Sequence, residues 1–450
     1  MFQDVLKRKL SMMTRRILYV LLIAAGLFLA VEGCKKKEDN LTYHEQELYF
    51  INRAIYDTMN IYYLWYKNIP SKVDFRQEPP NFFNSLKYRP QDRWSFITNK
   101  ASFYSDFVGG SVYASHGIGV MSDDSNALRV ALIFPNTTAY KSGVRRGWII
   151  RKINGKEATI QNYRSLMGPQ VPGNADTFLF QHDTLLETKI LYNETFTSPT
   201  VIKYDTLRAG NALIGYLMFY EFRGSDSQAE LDSAFAFFVQ AGINELILDL
   251  RYNTGGFNST AHYLVNLIAG KMFAGEIFVK YTFNDKLASL NESEKLTSLS
   301  NSLSLSGKRI YIVTTRETAS SSELVINSLK PFFTVYTIGD TTHGKPVGMI
   351  VFDMKYYDYV IAPIAFSIYN KNNEGDYFQG IPPSFKAPDD IAHDFGDPAE
   401  SCVKAAISHI TSGSFSLKEK RTSPFTRQSC MSTDFPRKQK MGVLKVLDFE

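Results

Sequence analysis

Cysteine is scarce in this 450-residue chain, occurring only at positions 34, 402 and 430. Three cysteines so placed make no disulfide framework and no zinc-ligand spacing. Cys402 stands in a helix-patterned stretch and reads as a small buried apolar side chain. No phosphate-cradling glycine loop and no clustered His, Cys and Asp pattern is present, so neither a metal nor a cofactor is called for. With 28 Gly and 17 Pro the chain is neither collagen-like nor of low complexity. An apolar run at 17–31 has 15 residues, short of the roughly 20 that a membrane-spanning helix needs. A basic body is also missing. The net charge of +5 comes from the two ends, +6 over 1–37 and +4 over 413–450, which leaves 38–412 at −5. No nucleic-acid partner is expected from such a body. What remains is 44% hydrophobic, 14% aromatic and 21% charged, the balance of a packed globular chain long enough for two or three domains.

The first run has the form of an export signal. Lys7, Arg8, Lys9, Arg15 and Arg16 precede the apolar 17–31 stretch, which ends Val31-Glu32-Gly33-Cys34 before three lysines. A small residue followed by Cys directly after such a core resembles the bacterial lipoprotein cleavage box, although Glu32 departs from the usual small residue. The resemblance implies a signal peptide at 1–33, lipidation of Cys34 and an anchor linker at 34–40. The expected location is then the cell envelope, as an exported lipoprotein of the periplasm or outer membrane, with the membrane a partner through the lipid.

Four segments follow. Residues 41–100 are expected to form a helical cap: Thr42-x-x-Glu45 is a capping box, and Ile51, Ile55, Met59, Tyr62 and Tyr66 recur at helical spacing over 41–70. Residues 101–200 resemble a PDZ domain, because His116-Gly117-Ile118-Gly119-Val120 fits a carboxylate-binding loop and Ile153-Asn154-Gly155 fits a later turn. The peptide carboxylate would meet the backbone of Gly117, Ile118, Gly119 and Val120. Residues 201–412 alternate strand and helix, with strands at 213–222, 246–250, 310–313 and 334–338 and helices at 228–240 and 322–329. That alternation is the mark of an α/β layer structure. Residues 413–450 are Ser-, Lys- and Arg-rich and read as a loose basic tail.

Chemistry gathers in three short stretches. Thr318-Ala319-Ser320-Ser321-Ser322-Glu323 follows an apolar strand and opens a helix, where free N–H groups and positive dipole favour a developing oxyanion. Ser and Thr at such a place also serve as ordinary N-caps, and the run alone does not separate the two roles. Thr342-His343-Gly344-Lys345 places a Lys 25 residues beyond Ser320, and Asp249-Leu250-Arg251-Tyr252-Asn253-Thr254-Gly255-Gly256 forms a glycine-rich loop. Together these resemble the C-terminal processing, or tail-specific, serine peptidase family over roughly 41–412. The order of cap and PDZ resembles exported members of the Bacteroidetes-like group.

The resemblance implies a mixed α/β (α+β) multidomain fold: an N-terminal helical cap, a PDZ domain and a protease domain of the ClpP/crotonase-like α/β type. It implies Ser320 as nucleophile and Lys345 as general base. The oxyanion would be held by the backbone of Ser321 and of the Gly255-Gly256 turn, and Asp249 and Arg251 would brace that loop. The substrates would be proteins or peptides with accessible C-termini. An ordinary Lys titrates near 10.4, so Lys345 must lie buried among apolar groups without a carboxylate partner. Met349 stands where many relatives carry a Gln that orients the Lys, and Pro346 replaces a Gly. His343 is a rival base, and His393 reads as structural. Two other readings are kept, a catalytically idle peptide-binding lipoprotein and a crotonase-like small-molecule enzyme.

Overall fold

A computed structural model describes residues 42–89, 91–104, 112–224, 226–416, 432–433 and 443–446. The signal-like run, Cys34 and Cys430 lie outside the described residues. No helix among the described residues is long and apolar enough to cross a membrane.

The 201–412 segment is built on a six-stranded sheet ordered Val201–Ala209, Ala212–Phe219, Glu245–Asp249, Arg309–Thr314, Thr334–Gly339, Phe385–Lys386. The first two strands form an antiparallel hairpin, and every later pairing is parallel. Helices Ser227–Ala241, Asn258–Phe273 and Ser321–Leu329 are the connections that parallel strands require. Their buried faces, among them Leu231, Phe235 and Phe238, pack on Leu217, Leu246, Leu248, Ile310 and Ile312. In such sheets a site forms beyond the carboxyl ends of the strands. Here the Asp249–Gly256 loop leaves one strand end and the Ser320 turn leaves its neighbour.

A second, seven-stranded sheet escaped the reading of the sequence. Its order is Phe96–Thr98, Val360–Ala362, Val347–Asp353, Ile364–Asn370, Ile277–Phe283, Glu292–Lys295, with Val443–Val446 added beside the Val347 strand. Residues expected as a helical cap are built into this sheet. Phe96–Thr98 pairs antiparallel with Val360–Ala362, and Ile51, Ile55, Met59, Phe82 and Phe83 share one core with Val347, Met349 and Val360. The Thr42–Glu45 capping box is present, with Glu45 N donating to Thr42 Oγ1 at 3.2 Å. The helix it opens runs Tyr43–Tyr62 and stops short of residue 70. There the chain turns extended so that Leu64 N can donate to Ile364 O at 2.8 Å, a tertiary pairing that ends the local pattern.

The middle segment forms its own sheet, ordered Ile118–Ser122, Leu128–Ile133, Ile149–Ile153, Ala175–His182, Leu185–Tyr192, over a separate core that includes Val120, Val130, Ile150 and Phe178. Ser432–Thr433 pairs with the outer edge of Ile118–Ser122. The 413–450 stretch, read as a loose tail, thus contributes two short strands to two different sheets. Gly147 of the middle segment lies so close to the 201–412 segment that an added Cβ would sit 2.5 Å from Ala392 O, and Arg146 reaches across to Asp389 at 2.8 Å.

Candidate active site

Ser320 occupies the turn between strand Arg309–Thr314 and helix Ser321–Leu329, with φ at 59°. A non-glycine residue in the left-handed region costs on the order of 1–3 kcal/mol and persists where its surroundings fix it. The fixing contacts are explicit. Ala319 N and Ser322 Oγ both donate to Asn253 O at 3.0 Å, and Ser321 Oγ donates to Gly256 O at 2.8 Å. The glycine loop therefore lies flat against the Ser320 turn. A Cβ on Gly255, whose φ is +97°, would stand 2.9 Å from Ser320 Cβ and 3.1 Å from Ser321 N. Only glycine allows so close an approach. Gly255 N itself donates to Asn253 Oδ1 at 2.9 Å, and Asn253 Nδ2 donates onward to Phe219 O. With Gly255 N so engaged, the turn's remaining donor is the Gly256 amide.

Glu323 joins this turn to the Lys345 loop, a role that no motif suggested. Its carboxylate accepts from Ser320 N and Lys345 N, each at 2.8 Å to the same oxygen Oε2. The two amides are therefore within twice 2.8 Å of each other, although 25 residues separate them in sequence. Oε1 accepts from Gly344 N at 2.6 Å and Thr342 Oγ1 at 2.5 Å. Burial pushes the Glu323 carboxyl up, opposed by these four donors. A signal was available: Glu three residues after Ser320 completes a capping box, and Glu323 reaches back to the Ser320 amide as that motif requires.

Lys345 is fully buried. Its Nζ donates to Met349 Sδ at 3.9 Å and stands 5.6 Å from the centre of the Trp94 ring. Among the described residues it forms no ion pair. Burial holds the amine well below the ordinary lysine value, and the more distant Asp92 and Glu323 charges offset this only in part. The amine thus lies against apolar groups with no carboxylate at ion-pair distance, although the Glu323 carboxylate binds the Lys345 backbone amide. Met349 fills the place of the usual Gln with a thioether, a weak acceptor that does little for an ammonium. Trp94, from the N-terminal segment, supplies the wall. Asp92 Oδ1 accepts from the Trp94 and Ser95 amides, and Tyr63 OH donates to Asp92 Oδ2 at 2.8 Å. Trp94 also donates from Nε1 to His343 Nε2 at 3.1 Å. That contact occupies His343 Nε2 as an acceptor, so this nitrogen is not available to take a proton from Ser320.

Asp249 and Arg251 form a buried brace set back from Ser320. Arg251 pairs with Asp249 and Asp389 at 2.7 Å and with Glu400 at 2.9 Å. Burial opposes its charge, but the three carboxylates outweigh it and raise the guanidinium well above its ordinary value. Tyr216 OH donates to Asp249 at 2.7 Å, and Arg146 Nη1 donates to Tyr252 OH at 2.9 Å. His393 pairs with Asp390 at 2.8 Å, and Cys402 is a free buried thiol in helix Ser401–Ser412, its pKa raised by burial. Gly117 leads into strand Ile118–Ser122 of the middle sheet with φ +82°, and an added Cβ would collide with Thr137. His116 beside it is buried, 3.2 Å from Asp176.

Comparison with known proteins meets this geometry. Residues 213–387 match the model of peptidase family S41, and residues 51–96 match the peptidase S41 N-terminal domain. A carboxy-terminal-processing protease of Bartonella bacilliformis is 25% identical over 337 residues, 72% of this chain and 73% of that one. A CtpA-like serine protease of Staphylococcus saprophyticus is 24% identical over 262 residues, 56% of this chain, and the chain spans about half (49%) of that relative's length. In fold, the chain resembles a crystal structure described as an S41 protease from Bacteroides fragilis, with a TM-score of 0.66 at 23% identity, covering 79% of this chain and 96% of that one. The N-terminal segment and the domain that carries Ser320 and Lys345 thus each match a model of peptidase family S41, and the chain has the mixed α/β multidomain fold of an S41 protease.

Proposed function

We propose that this chain is a serine endopeptidase of the C-terminal processing type that works with a Ser320/Lys345 dyad. The observation that carries the reading is Lys345: an amine fully buried against Trp94 and Met349, without an ion-pair partner, tied through Glu323 to the turn that bears Ser320. A neutral amine so placed is a competent base. Lys345 Nζ takes the Ser320 Oγ proton as that oxygen attacks the scissile carbonyl carbon. The resulting oxyanion is received by the backbone N–H groups of Ser321 and Gly256. Lys345 then returns the proton to the leaving amine, which breaks the C–N bond and leaves an acyl group on Ser320. Water, deprotonated by the same amine, attacks the ester, and the proton passes back to Ser320. Losing one oxyanion donor would cost ~10²–10³ in rate.

In the same reading the middle segment is a PDZ-like docking module. It would bind the C-termini of polypeptides at Gly117, Ile118, Gly119 and Val120 by adding the substrate as a strand. Export and a lipid on Cys34 belong to the proposal too, resting on the Val31-Glu32-Gly33-Cys34 pattern; intact-mass measurement of the native protein tests them by the presence or absence of the acyl chains.

The rival reading, an idle peptide-binding lipoprotein, leaned on Met349. A thioether leaves the amine neutral, which favours the active reading. The test is turnover of an unfolded protein by wild type, Ser320→Ala and Lys345→Ala. Cleavage should fall by ~10⁴ or more in both variants while peptide binding persists. Absence of cleavage by wild type under every condition tried would hand the case to the idle reading.

A further inference from the structure

The strand that follows Lys345 has an edge that a polypeptide can use. Val347–Asp353 is paired on one side with Ile364–Asn370, through Val347, Gly348 and Met349. On the other side only Phe352 and Asp353 of this strand pair with Val360–Ala362. Gly348–Val351 would otherwise present an open row of backbone donors and acceptors that begins three residues beyond Lys345. Open edges of this kind are templates for strand addition. In this chain that edge is taken by its own Val443–Val446, in parallel register, Gly348 opposite Val443 and Val351 opposite Val446.

A second open edge has the same occupant. Ile118–Ser122 runs directly out of the Gly117 turn, and its outer side is where an extended peptide adds antiparallel in strand-augmentation binding. Ser432 pairs there with Val120 and Thr433 with Gly119, antiparallel. Residues 432–433 therefore pair with the edge of the docking module, and residues 443–446 with the edge beside the general base. A strand that binds through its main chain needs no particular side chains, so an internal segment can stand in for a substrate.

We propose that the segment carrying Ser432–Thr433 and Val443–Val446 occupies both strand-addition tracks in cis and competes there with extended polypeptide substrates. The inference rests on the peptidase reading above, and it names the substrate's own binding edges as Gly119–Val120 and Gly348–Val351.

The test uses the full chain with Leu444→Pro and Lys445→Pro combined. Adjacent prolines remove an inward-facing N–H whichever of the two faces the Val347 strand. A second variant replaces 443–446 by Gly-Ser-Gly-Ser. Amide exchange of residues 348–351 is followed in a Ser320→Ala background, where no cleavage complicates the reading, and KM for an unfolded protein is measured with Ser320 intact. Were the track free one tenth of the time in the parent chain, releasing it would lower KM about tenfold with kcat unchanged. Exchange at 348–351 should accelerate, and a free peptide of the 432–446 sequence should slow it again and raise KM. Unchanged exchange and unchanged KM in both variants would overturn the proposal. Faster exchange without any cleavage by the parent chain would keep the docking segment and sink the peptidase reading.

Discussion

Among the described residues of the domain that carries Ser320, Arg251 and Lys345 are both fully buried, and they are treated in opposite ways. Arg251 is wrapped by Asp249, Asp389 and Glu400, and these carboxylates hold it charged. Lys345 is equally buried but has Met349 Sδ and the Trp94 ring for company, and burial drives its amine toward the neutral form. Guanidinium resists deprotonation and suits a brace, whereas ammonium yields to desolvation and suits a base. The comparison separates scaffolding from chemistry: a paired buried charge braces the Asp249–Gly256 loop, and in the proposed mechanism a buried amine without an ion-pair partner supplies reactivity.

The largest expected effect lies on the brace. Arg251→Met leaves three buried carboxylates short of their cation and should lower stability by ~3–5 kcal/mol, read as a shift of the urea midpoint. A wild-type midpoint would show that the network is not what holds the loop. Next comes the bridge between the two halves of the proposed dyad. Glu323→Gln puts an NH₂ where N–H or O–H donors now point, and kcat should fall by about 10² with KM little changed, because the turn and the Lys loop lose their common anchor. Equal kcat in this variant would break the claim that Glu323 sets the dyad geometry.

Smaller, and opposite in sign to Arg251→Met, is Lys345→Met. The folded-state pKa of Lys345 lies below the unfolded value, so between the two the unfolded chain binds a proton that the folded chain does not. Wild-type stability therefore rises with pH across that window, from the depressed folded value up to about 10.4. Lys345→Met should remove that slope and match or exceed wild-type stability at neutral pH, by an amount on the order of 1 kcal/mol, while abolishing turnover. Loss of stability comparable with Arg251→Met would erase the contrast. The smallest effect is expected of Met349→Gln. An amide oxygen beside the amine favours the ammonium, so the rising limb of the kcat/KM profile should move up by about one pH unit. A limb that stays in place would show that the thioether has no part in tuning Lys345.

How much of this was legible in the sequence follows from the range of the interactions. Ser320, Ser321, Lys345 and Gly255-Gly256 could be singled out because each sits in a short stretch with its own composition, and the parallel α/β layers were legible because strand and helix alternate locally. Met349 was noticed as a departure, but its contact with the Lys345 amine was not, since that depends on the strand direction after Pro346. Trp94 was passed over because its partner His343 is 249 residues away. The same holds for the second sheet, whose strand Phe96–Thr98 meets Val360–Ala362 across most of the chain. The strands at 432–433 and 443–446 had no periodicity to betray them; a strand of two to four residues is made by the edge it joins.

The central claim is that Lys345 carries a neutral amine in the folded protein. The most direct measurement is the ¹⁵N shift of Lys345 Nζ against pH in lysine-labelled Ser320→Ala protein, the signal being assigned by its absence from a Lys345→Met partner sample. The account predicts a free-amine shift at pH 8 and a midpoint well below that of the exposed lysines. A Lys345 signal that remains ammonium until about pH 10, as for a solvated lysine, would contradict it.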